Sequence, residues 1–198
     1  MLQIFAVSFL LPNAAFQQAF PPGGSERVQL VIKALQPPAA NVEWIRLQEK
    51  AAEDPRLKVI KADLKRQELL ALMGCCDVFL SLHRSEGFGR GIAEAGILSL
   101  EVVASAYGGN VDFCQGRPFY LVSCTPTLIK ANTYPHAEGH IWGNADLEEA
   151  TTCLKLATAA TNNPPGPSMA SPALSRLTKE SCGKRYVDGL NRLLRAKL

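Results

Sequence analysis

Short apolar runs of strand length alternate along this chain with stretches of helical spacing, and this alternation limits the fold more than any other feature. The predicted strands are Gln3–Ser8, Val28–Lys33, Leu57–Lys61, Val78–His83, Val102–Ala106 and Tyr120–Cys124. Continuous apolar strands separated by helices are typical of a parallel sheet that is covered on both faces. The sequence therefore predicts an α/β fold with a single doubly wound parallel sheet.

Apolar side chains at helical spacing lie between these strands. The predicted helices are one capped by Asn41, then Gln67–Cys76, then Gly91–Leu98, and one that begins at Asn144 or Asp146. Glu149 follows Asp146 by three residues, which predicts a capping box. We expect a main domain over residues 1–160, a Pro/Gly linker over 161–172, and a returning C-terminal amphipathic helix over 173–198 that packs on the domain.

Composition is that of a globular protein with one main core: 198 residues, 47% hydrophobic and 20% charged. A net charge of +3 is too small to predict a nucleic-acid surface. Residues 176–197 hold seven basic and two acidic side chains, a net +5. This end is either a solvated helix face or a surface for acidic lipid or another acidic partner, so membrane contact is at most peripheral.

The six cysteines form no C-x-x-C pair and are interpreted as reduced and mostly as core residues. The apolar start could be a signal peptide, but the first basic residue is Arg27, and a buried strand is the better interpretation. Nowhere do 18 consecutive apolar residues occur. We therefore expect a cytoplasmic protein.

Two glycine-rich loops follow neighbouring strands. The first covers residues 84–91 and the second covers residues 107–113. In open parallel sheets, ligands bind beyond the carboxyl ends of the strands. These loops are therefore the places where a binding site is expected.

The chemistry of the first loop predicts a particular kind of ligand. Gly87 and Gly89 allow close approach of the backbone, and the following helix N-terminus favours a phosphate. Glu86 and Glu94 carry carboxylates, which accept hydrogen bonds from the vicinal hydroxyls of ribose or a pyranose. Together these groups predict a nucleotide sugar, although Glu94 taken alone could be an ordinary solvent-facing helix residue.

The string Ser81–Ala95 resembles the E-x7-E signature of retaining glycosyltransferases with the two-domain GT-B fold. The resemblance extends over most of the chain. It includes Tyr107–Phe113, Tyr134-Pro135 with Gly139, Trp142 and Asp146, and Ser181-x-Gly183-x-Arg185-Tyr186. It implies the Rossmann-like C-terminal half of a GT-B enzyme, which binds the nucleotide-sugar donor.

The resemblance also implies roles for individual residues. Glu86 would be the catalytic carboxylate near the donor sugar, and Glu94 would bind the ribose diol. The other implied donor-binding residues are Gly87, Phe88, Gly89, Gly108, Gly109 and Asn110, with His83 and Arg84 as weaker candidates. No cofactor and no metal are expected, since the sequence has no D-x-D pair and no His/Cys cluster.

Three departures from the family pattern count against an active enzyme. The acceptor-binding half is missing, and residues 8–13 lack the cations that would neutralise a diphosphate leaving group. In Leu98–Val102 the usual turn of Gly, a cation and Pro is absent. We expect the isolated chain to be inactive and to need a separate acceptor-binding domain or subunit.

Two alternatives compete with this interpretation. The first is a degenerate, non-catalytic binding or scaffolding subunit. The second, a dinucleotide dehydrogenase, is disfavoured because no G-x-G-x-x-G follows the first strand.

Overall fold

The computed structural model describes residues 1–6, 10–35, 40–130, 133, 135–162 and 172–195. Six parallel strands form one sheet in the order β3-β2-β1-β4-β5-β6. They are β1 Leu2–Ala6, β2 Val28–Ala34, β3 Leu57–Lys61, β4 Val78–Ser81, β5 Glu101–Ser105 and β6 Phe119–Val122. The predicted strands are thus confirmed with shifts of one or two residues at most ends. Of the predicted first strand, residues 7 and 8 lie outside the described part.

Helices cover both faces of the sheet, which confirms the doubly wound prediction. Their bounds are α1 Leu10–Ala19, α2 Val42–Glu53, α3 Arg66–Gly74, α4 Arg90–Ile97, α5 Leu147–Ala160, α6 Pro172–Ser175 and α7 Lys179–Arg195. Alternate strand residues point to opposite faces. Ile4 therefore packs in the core under α1, α2 and α5, whereas Phe5 packs in the core under α3 and α4.

Two elements were not predicted. Helix α1 was not predicted because its first residues are apolar and continue the apolar run of the first strand in the sequence. A two-stranded antiparallel hairpin, β7 Cys124–Leu128 and β8 Ile141–Ala145, also escaped. Most residues of β7 are exposed, so the strand lacks the apolar alternation that would reveal it.

The helix caps show where local prediction succeeded. The Asn41 side chain accepts from the Trp44 amide at 2.9 Å, and Asp146 accepts from the Glu149 amide at 2.8 Å. The predicted capping box at Asp146 was wrong in its second half. The Glu149 carboxylate instead accepts hydrogen bonds from the backbone amide and hydroxyl of Ser123, which fixes the end of β6.

The C-terminal segment returns to the domain, but not along its whole length. Leu174 is buried in the core beside α4, and Leu177 packs against that core. None of the side chains of α7 is buried, so the expectation that this helix packs on the domain was wrong. Most of the predicted linker lies outside the described residues.

Candidate functional site

The strand order reverses between β1 and β4, and the candidate site lies beside this switch point. Neighbouring strands β4 and β5 end at Ser81 and Ser105, and their loops leave the same edge of the sheet. Glu86 lies in the loop after β4, and Glu94 lies on α4, the helix which that loop enters. Both positions agree with the sequence prediction.

Backbone contact joins the two glycine-rich loops. The Gly109 amide donates to the Glu86 carbonyl at 3.1 Å. A Cβ at Gly108 would collide with the Glu86 carbonyl oxygen, and one at Gly109 would collide with that of Gly87. Gly108 also has a φ of 107° and a ψ of −166°, a region that is essentially restricted to glycine. These two glycines are therefore required for the loops to meet.

Gly89 connects the first loop to α4. Its φ of 87° is left-handed, and a Cβ there would lie 3.0 Å from the Asn110 Cβ. The first helical hydrogen bond joins the Ala93 amide to the Gly89 carbonyl. The amides that precede Ala93 in α4 have no acceptor within the helix, and they form the positive end of its dipole.

Asn110 is fully buried, and its side-chain oxygen has no hydrogen-bond partner among the described residues. Its amide group donates to the Ser105 carbonyl at 2.9 Å, across the turn that leaves β5. The side chain stabilises the second loop. That Asn110 borders a donor stays a prediction.

His83 joins the two loops from the strand side. Its Nε2 lies 2.8 Å from the Tyr107 carbonyl, which can only accept, so Nε2 carries the proton. Nδ1 lies 3.2 Å from the Ser81 hydroxyl and accepts from it in the neutral ring. Because both ring nitrogens bind protein groups, this geometry favours a structural role for His83.

Arg84 is held by the hairpin. Its guanidinium lies 4.3 Å from the centre of the Trp142 ring, and its carbonyl accepts from the Gly143 amide at 2.8 Å. The Tyr107 ring lies directly against Gly143, so the hairpin packs on both loops. Trp142 is one of the residues that carry the family resemblance, but its contact with Arg84 was not predicted. Tyr134, quoted beside it, lies outside the described residues.

The remaining side chains at this edge differ in how freely they face solvent. The Glu86 side chain is half-buried, whereas the Phe88 ring is half-exposed and packs 5.1 Å from the Phe113 ring. The Glu94 carboxylate binds Arg66, which lies 2.9 Å away at the start of α3, and a second cation, Arg90, lies 3.7 Å away. Sequence analysis missed Arg66, because 28 positions separate it from Glu94.

A cavity of about 690 Å³ lies at the opposite end of the sheet. Leu2 and Val28, the first residues of β1 and β2, line it together with Phe20, Arg27 and Lys155. It lies far from the glycine turns and from the carboxyl ends of the strands. Among the described residues, no cluster of three or more His, Cys, Asp or Glu side chains could hold a metal ion. The described helices include none that is long and apolar enough to cross a bilayer.

The fold is that of the C-terminal domain of GT-B glycosyltransferases. No protein-family model and no curated protein matches the chain. Among solved structures, it is similar to HepE from Anabaena, solved with UDP and glucose, at 17% identity and a TM-score of 0.65. That match covers 96% of this chain and 48% of HepE.

Two further solved structures are similar to this chain. Sucrose-phosphate synthase from Thermosynechococcus elongatus matches at 16% identity and a TM-score of 0.67, over 100% of this chain and 46% of its own. Trehalose 6-phosphate synthase from Burkholderia multivorans matches at 16% identity and a TM-score of 0.61, over 100% and 44%. The chain thus spans about half the length of the glycosyltransferases that share its fold.

Proposed function

We propose that this chain is the donor-binding domain of a retaining glycosyltransferase. The observation that carries the proposal is the backbone contact between the two glycine-rich loops beside the carboxylates of Glu86 and Glu94. The fold neighbour HepE was solved with UDP and with UDP-glucose, which supports a nucleotide sugar as the ligand.

Each part of the site has a role in this proposal. The amide-rich start of α4 binds the diphosphate, because helix N-termini attract anions. Glu94 accepts hydrogen bonds from the ribose hydroxyls. Glu86 lies near the donor sugar, and no hydrogen bond or ion pair engages its carboxylate within the described residues. The residues assigned from the family resemblance remain predictions, as do retention of configuration and a cytoplasmic location.

The proposal includes a partner that supplies the acceptor site, because the chain matches about half of each relative. The exposed apolar side chains of α7 support this part of the proposal. They are Tyr186, Val187, Leu190, Leu193 and Leu194. They lie on one side of the helix, and we propose that the acceptor-binding half covers them.

A second candidate is a non-catalytic subunit with the same fold. It is favoured by residues 8–13, which hold no lysine or arginine. A diphosphate leaving group that lacks one charged donor loses several kcal/mol of transition-state stabilisation. Arg84 is a poor replacement because its guanidinium stacks on Trp142.

Calorimetric titration of the chain with UDP, GDP and ADP tests the proposal. We expect one of them to bind with a dissociation constant on the order of millimolar to high micromolar. Glu94→Gln should weaken that binding by about tenfold, because the amide loses the charge that strengthens both hydrogen bonds. Lys179→Gln, on exposed α7, is the control for loss of a charge.

Two outcomes would overturn the proposal. One is that no nucleoside diphosphate binds, and the other is unchanged affinity in folded Glu94→Gln. The two candidate functions separate when the acceptor-binding half is added. A transferase then turns over a nucleotide sugar, whereas a non-catalytic subunit binds it without turnover.

A further inference from the structure

Two helices on one face of the sheet begin close together at the edge that carries the site. Helix α3 starts at Arg66 and α4 starts at Arg90, and both pack in the core around Phe5 and Phe79. The Glu94 side chain projects back toward the start of α4, as helical side chains do. It is only 15% exposed, whereas the side chain of Arg66 is 61% exposed.

Both ion pairs of Glu94 use the same oxygen. Arg66 Nη1 lies 2.9 Å from Oε1, and Arg90 Nε lies 3.7 Å from that atom. A carboxylate has about four acceptor positions on its two oxygens, so one arginine contact leaves most of them available. The ion pair with Arg66 therefore fixes the carboxylate at Oε1 and leaves acceptor positions on the group for a ligand.

The packing of α3 on α4 does not depend on this ion pair. Met73 of α3 and Ile92 of α4 are both buried in the same apolar core, with Leu69 packed against it. An ion pair with one partner 61% exposed contributes little to the stability of the fold. The contact between Arg66 and Glu94 is thus unnecessary for folding, although it determines where the carboxylate lies.

We propose that Arg66 is a positioning residue that orients the Glu94 carboxylate to accept both hydroxyls of a ribose diol. The inference rests on the proposed function, and it adds a residue and a substrate requirement to it. A free glutamate side chain samples several rotamers, and ordering it on binding costs affinity. Arg66 removes that cost in advance. The advantage exists only for a ligand that has both the 2′ and 3′ hydroxyls.

The test compares two ligands in several variants by calorimetry. UDP carries the diol, and its 2′,3′-dideoxy analogue lacks it. Arg66→Gln should bind UDP about three- to fivefold more weakly. This loss corresponds to the upper end of the range of interaction energies for exposed ion pairs. The same variant should bind the dideoxy analogue as the wild type does. Arg66→Lys, which keeps the charge, should recover part of the UDP affinity.

Two further variants separate the possible failures. Arg46→Gln, on the exposed side of α2, removes a charge far from the site and should bind both ligands as the wild type does. Glu94→Gln should weaken UDP binding and leave the dideoxy analogue unchanged. Unfolding midpoints measured by far-UV circular dichroism establish that each variant is folded.

Each outcome has a defined meaning. If Glu94→Gln distinguishes the ligands while Arg66→Gln changes neither, or changes both equally, the role of Arg66 is refuted and the proposed function stands. Tighter UDP binding in Arg66→Gln would mean that the arginine competes with the ligand, and it would also refute the inference. If Glu94→Gln does not distinguish the ligands, or if none of UDP, GDP and ADP binds, both proposals fail.

Discussion

Gly108→Ala is the substitution whose effect follows most directly from the structure of the site. The residue has a φ of 107° and a ψ of −166°, and occupation of that region costs a residue with a Cβ about 1–3 kcal/mol. The added Cβ would also collide with the Glu86 carbonyl oxygen, and relief of such a clash costs about 1–3 kcal/mol more. We expect the free energy of unfolding to fall by roughly 2–6 kcal/mol.

Gly87→Ala is the matched control in the neighbouring loop. Nothing lies within 4 Å of an added Cβ there, and the φ of Gly87 is outside the left-handed region. The free energy of unfolding should therefore change by less than about 1 kcal/mol. Urea denaturation monitored by circular dichroism and tryptophan fluorescence gives both values. If Gly108→Ala is no less stable than Gly87→Ala, the two loops are not in backbone contact and the described site is wrong.

Two further predictions concern stability and reactivity away from the site. Hydrogen bonds from the Arg56 side chain lower the pKa of the Asp54 carboxyl from 3.8 to about 2. The ionised carboxylate therefore contributes roughly 2 kcal/mol to the free energy of unfolding above pH 3.8, and this contribution is lost as the pH falls toward 2. Urea denaturation between pH 2 and 7 should show this loss in the wild type, and an equal loss in Asp54→Asn would contradict it. Burial raises the pKa of Cys76 to about 11 and of Cys114 to about 12, whereas Cys75 and Cys182 are exposed. Iodoacetamide at pH 8 should alkylate the two exposed thiols first, as peptide mass spectrometry can establish, and rapid labelling of Cys114 would refute the burial.

The sheet could be predicted from sequence because buried parallel strands are marked by continuous apolar runs. The helix caps at Asn41 and Asp146 could also be predicted, since a capping side chain and the backbone amide that donates to it lie within three residues. The β7–β8 hairpin was not readable, because most β7 side chains are exposed and its pairing depends on the backbone. Local patterns therefore predicted the buried parallel strands. They missed the hairpin, which buries little apolar surface, and α1, whose apolar start follows the first strand without a polar break.

One departure from the family pattern has a structural explanation. Ser99 stands at a φ of 65°, in the left-handed region that favours glycine. The turn after α4 thus has a residue with a Cβ at a position that favours glycine. Glu101, which follows in β5, is buried and binds Arg117 at 2.5 Å, so its charge is compensated by a partner 16 residues away. A sequence string cannot reveal such compensation.

The site divides into backbone parts, which this chain keeps, and cationic side chains, which it lacks where the family has them. The backbone parts are the contact between the two glycine-rich loops, the glycine turns and the start of α4. They depend on the main chain, so they follow from the fold and a few glycines. Charge neutralisation depends on single side chains, and residues 8–13 have none that are basic. Binding of a diphosphate requires mainly the backbone groups. Departure of a diphosphate as leaving group requires the cationic side chains as well. Under the proposed function, nucleotide binding and transfer would therefore be separable, and turnover would require cations at the diphosphate from outside residues 8–13.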